Sequence, residues 1–83
     1  VKATRTVWTN STDELAYYAA LHPDATVKRV IEAGAFIRRS VRTSCDYFDV
    51  DYTEERGLTS STFVVRGPIM NMLELAVWLD IVQ

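Results

Sequence analysis

Beyond Gly67 and Pro68 the chain becomes apolar on nearly every side. From Ile69 to Gln83 only Asn71, Glu74, Asp80 and Gln83 are polar. At about 100° per residue, Ile69, Met72, Leu73, Ala76 and Leu79 form one stripe. Met70, Val77 and Ile81 flank it, and Leu75, Trp78 and Val82 lie further round. Pro68 suits the first helical position, where a missing N–H costs nothing. A helix this evenly apolar is covered on more than one side. The pattern therefore predicts a closing helix that packs one face on its own domain. It shows Leu75, Trp78 and Val82 to a partner or to a second copy.

Upstream, the periodicity changes several times. Val1 to Thr9 alternates, with Ala3, Arg5 and Val7 against Thr4, Thr6 and Trp8, and reads as a strand. Ser11 with Glu14 three residues later has the form of a capping box, so a helix should follow. Leu15, Tyr18, Ala19 and His22 share one face of it, and Pro23 stops it. Asp24 is placed to cap a second helix over Thr26 to Ala33, with Val27, Val30 and Ile31 as its stripe and Gly34 at its end. The same spacing also extends through Ile37 and Val41, which would carry that helix to about Arg42. The break at Gly34 is preferred, because Phe36, Ile37, Val41 and Thr43 favour a strand, and Ile37, Val41, Cys45 and Tyr47 keep a period of two. At Phe48 the parity switches, as at a bulge. Glu54-Glu55-Arg56-Gly57 reads as a hairpin loop with Gly57 at positive φ, and Leu58 to Arg66 returns as a strand.

These elements predict a single α+β domain over residues 1–83. It is a small three-stranded antiparallel sheet with helices packed on one face, in the order β-α-α-β-β-α. A chain of 83 residues that is 48% hydrophobic can bury a core, though a small one. No leader-like segment opens it, and the last helix is too short and too interrupted by charge to span a bilayer. A reducing, cytoplasmic setting follows by default from the single Cys45.

The candidate sites are sparse. His22-Pro23-Asp24 is the tripeptide of the J-domain co-chaperones, and it lies between two helical patterns as it does in that family. The resemblance covers three residues. The helix before it, from Asp13 to Leu21, lacks the Lys and Arg of that family, and no site is carried over. Asp49-Val50-Asp51 starts like a calcium loop, but Glu54 and Ser60 stand where Gly and Glu are required. No metal or cofactor is expected. Cys45 with His22, or Asp49 with Asp51, is the material for a small hydrolase-like enzyme. None of these has a recognisable motif around it, so no catalytic residue is assigned.

Charge order says more. Ala25 to Cys45 carries +4, through Lys28, Arg29, Arg38, Arg39 and Arg42 against Glu32, whereas Asp46 to Glu55 carries −5. Opposite patches on one small domain favour oriented docking on a protein or self-association. Arg38, Arg39 and Arg42 with Trp8 or Phe36 would be the material of a nucleic-acid surface. The overall charge of −2 and the acidic segment beside them disfavour it. The sequence thus predicts a non-enzymatic protein-interaction module, a small regulator or inhibitor of bacterial or phage type. Its contacts would be Leu75, Trp78, Val82, Arg38, Arg39, Arg42, Asp49 and Asp51, and its partner a protein or a second copy in a homodimer.

Overall fold

The computed structural model describes the backbone over residues 6–82 and the side chains over 6–80. Its elements in chain order are β1 (Thr6–Trp8), α1 (Thr12–Leu21), β2 (Thr26–Gly34), α2 (Arg38–Tyr47), β3 (Asp51–Arg56), β4 (Ser60–Pro68) and α3 (Ile69–Val82). The class is α+β, as the patterning predicts. Two elements differ in kind. Thr26 to Gly34 is a strand, not a helix, and Arg38 to Tyr47 is a helix, not a strand. The sheet accordingly has four strands and is mixed, in the order β1-β2-β4-β3.

β1 runs parallel to β2, and β4 runs antiparallel to both β2 and β3. β2 and β3 are therefore parallel, joined through α2, with β4 inserted between them. This is a split β-α-β unit, and β1-α1 extends it on one side. The register fixes the faces. Val27, Ile31 and Ala33 of β2 lie on one side with Phe63 and Val65 of β4, and all are buried. Arg29 shares that side by parity. Trp8, Lys28, Glu32, Arg66, Asp51 and Thr53 point the other way, and among the described residues no helix covers that face.

Beyond Trp8 the pairing of β1 with β2 is finished by a side chain. The Thr9 N–H reaches the Lys28 carbonyl at 3.3 Å, and the Val30 N–H then finds Asn10 Oδ1 at 3.0 Å. Ser11 caps α1 by accepting from the Glu14 N–H at 3.2 Å. The other half of the capping box is replaced: the Ser11 N–H donates to Thr9 Oγ1 at 3.1 Å. Val1 to Arg5, the start of the expected first strand, lie outside the described residues.

The closing helix buries Ile69, Met72, Leu75, Ala76 and Leu79. Its second face is covered by α1, which packs along it and sends Leu15 fully into the core. Burying a leucine side chain in this way contributes about 1.5–3 kcal/mol. Leu75 is therefore a core residue and not a docking residue, because it is fully buried within its own chain. The β3–β4 loop is Gly57 to Thr59, one turn later than the expected Glu54-Glu55-Arg56-Gly57. Gly57 does not have positive φ. It is required because a Cβ there would stand 2.9 Å from the Ser60 carbonyl oxygen, which already accepts the Gly57 N–H at 2.8 Å.

Candidate functional site

α3 is packed closely against α1 but only lightly against α2, so a groove opens between α2 and α3. Three adjoining hollows form it. The first, of about 400 Å³, is lined by Phe36, Arg39, Ser40, Thr43, Ser44 and Trp78. The middle one, about 370 Å³, is lined by Thr43, Ser44, Tyr47, Phe48 and Trp78. The last, about 360 Å³, is lined by Phe48, Leu73, Glu74, Val77 and Trp78. Consecutive hollows share Thr43 and Ser44, then Phe48, and Trp78 borders all three.

Local structure explains the opening. Of the α2 residues at its edge, Ser40, Thr43 and Ser44 are too small to close the distance to α3. Val41 and Cys45 turn instead into the core. At the end of α2 the Phe48 ring packs edge-on to Tyr47, with centroids 4.9 Å apart at 86°. Phe48 is half-buried against the core and Tyr47 is 80% exposed. Trp78 stands one position before the buried Leu79 and keeps 47% of its surface exposed, as does Val77. Exposed aromatic and aliphatic groups gathered on one rim are what a docking surface requires.

The basic residues foreseen as contacts, now found in α2, have separate surroundings. Arg38 binds Glu54 of β3 in a forked contact, with Nε on Oε2 and Nη2 on Oε1 at 3.1 Å. Ser61 Oγ donates to the same carboxylate at 2.7 Å. The Arg38 guanidinium first, and then the Ser61 hydroxyl, hold the Glu54 carboxyl below its usual range. The group also corrects a local fault. α2 follows Ile37, which gives it no side-chain cap, and has two arginines in its first turn, where cations oppose the helix dipole. Arg42 turns its Nε towards the Tyr52 hydroxyl at 3.5 Å. Arg39 remains exposed at the groove, beside Phe36.

Other foreseen residues are dispersed. Trp8 lies on the open sheet face with Lys28 Nζ 5.8 Å from its ring centre, away from the arginines of α2. His22 stacks on Tyr18 at the end of α1, with ring centres 6.1 Å apart. Cys45 is fully enclosed, and burial pushes its thiol up to about 11. Among the described residues no hydrogen bond joins Cys45 to His22. Asp49 occupies the turn after α2, and Asp51 opens β3 opposite Arg66. Among the described residues no group of three or more His, Cys, Asp or Glu is arranged to hold a metal ion. The Val82 side chain lies outside the described residues. No helix among them is long and apolar enough to cross a membrane.

Of the expected contact residues, Trp78 and Arg39 meet at the groove. Thr43, Tyr47, Phe48 and Val77 complete it and were not foreseen. The adjacent aromatics Tyr47 and Phe48, where the alternation changes parity, were the available signal. No family model, curated protein or solved structure matches this chain.

Proposed function

We propose that this domain is a protein-interaction module, a small regulator or inhibitor that acts by docking and not by chemistry of its own. The observation that carries the reading is Trp78, half-exposed at the centre of an aromatic groove. A tryptophan so placed is the residue type that dominates binding energy when a partner removes it from water. The occupant is a protein surface offering apolar side chains to Trp78, Phe48 and Val77. Arg39 and Glu74, of opposite sign, border the groove, a mixture that suits a protein better than a polyanion.

The test is capture of binding partners from the native host by wild type, Trp78→Asp and Trp8→Asp, each checked for folding by circular dichroism. Trp8→Asp alters the open sheet face and should retain the partner. Trp78→Asp should weaken capture at least about thirtyfold, the equivalent of about 2 kcal/mol. Partners captured equally by all three proteins would refute the reading.

A further inference from the structure

The groove has a direction. Arg39 and Phe36 stand at one end, Glu74 and Val77 at the other, and Trp78 borders the whole length between them. A surface with opposite charges at its two ends and an apolar centre is complementary to itself under a two-fold rotation about that centre. Resting on the docking reading above, we infer that the occupant of the groove is a second copy of this chain, paired about a two-fold axis through Trp78.

In that pair each Trp78 lies against its equivalent, and Arg39 of each copy faces Glu74 of the other. A two-fold interface uses one patch twice, so the Arg39–Glu74 contact is made twice around the single Trp78–Trp78 contact on the axis. The groove supplies both members of each contact, and a foreign partner would have to supply the complement independently. The overall charge of −2 per chain makes repulsion between copies small. The charges at the two ends set the register, since a parallel arrangement would bring Arg39 against Arg39 and Glu74 against Glu74.

Sedimentation equilibrium over about 1–100 µM, which brackets micromolar affinities, tests the assignment. Wild type should dimerise in this range. Trp78→Asp should weaken the dimer at least about thirtyfold, and Arg39→Glu or Glu74→Arg alone by about tenfold. Mixing the two single charge variants should restore association as a one-to-one heterodimer, because both facing pairs are then again of opposite sign. The double variant Arg39→Glu/Glu74→Arg should self-associate like wild type. Wild type that stays monomeric at about 100 µM would overturn the second-copy assignment. The docking reading would then still stand or fall on the capture by Trp78→Asp. A dimer indifferent to Trp78→Asp and to both charge variants would use another surface and would overturn the inference equally.

Discussion

The Val50 N–H donates to the Cys45 carbonyl at 2.8 Å, and this bond closes the end of α2. The Asp49 N–H reaches the Asp46 carbonyl at 3.3 Å inside it, with Asp49 at φ 56°. Together these form a Schellman ending, in which the left-handed position normally belongs to glycine. Asp49 adds a negative charge where the helix dipole is already negative. Asp49→Gly should therefore raise stability by about 0.5–1 kcal/mol, measured by urea denaturation. Asp49→Val, β-branched at positive φ, should lower it. If glycine destabilised the fold, the strain argument would be wrong, and Asp49 would have a bonding role in the native state.

Glu54 links the start of α2 to β3. Its folded-state pKa is lowered, so its contribution to stability is complete above the unfolded value, about 4.3, and is lost as pH falls through the folded one. Thermal stability should fall as pH drops below about 4.3, and Glu54→Gln should flatten the part of the decline that this residue causes. Arg38→Gln should behave similarly. Identical acid profiles for wild type and both variants would show that the contact carries no linkage.

Cys45 predicts a second pH effect, of opposite sign. Its thiol is raised to about 11 by burial, whereas an unfolded cysteine ionises near about 8.5. The contribution is therefore complete below the unfolded value and declines as pH rises towards about 11. Iodoacetamide at mildly alkaline pH should leave native protein unmodified and label it fully in urea. Rapid labelling of the native state would contradict the enclosure of Cys45.

Arg29 is the polar member of the buried side of β2, and its Nε and Nη1 are shielded from water without a partner among the described residues. Such donors destabilise by about 1–3 kcal/mol when left unmade. Arg29→Met keeps the packing length and removes the donors, and stability should rise by about 1 kcal/mol in denaturant titration. A loss of similar size would mean that the guanidinium has a partner in solution.

The same arginine explains why β2 resembled a helix. With Arg29 facing inwards and Val30 outwards, the alternation of Val27, Ile31 and Ala33 is broken in its middle. What is left, Val27, Val30 and Ile31, has helical spacing. For α2 the confusion has another source. Ile37, Val41 and Cys45 are four apart, a spacing that serves a strand and a helix alike. The deciding signal was at Arg39 and Thr43, which a strand would have turned into the core and a helix leaves outside.

What the sequence determined by itself was what depends on neighbours along the chain: the cap at Ser11, the stop at Pro23, the returning strand near Leu58, and a last helix needing cover on two sides. Tertiary structure alone decided which elements give that cover. α1 covers one side, and α2, thinned by Ser40, Thr43 and Ser44, leaves the Trp78 side open. That choice follows from the inserted position of β4 and the crossovers around it. Contacts between segments tens of residues apart set both, and no local periodicity encodes them.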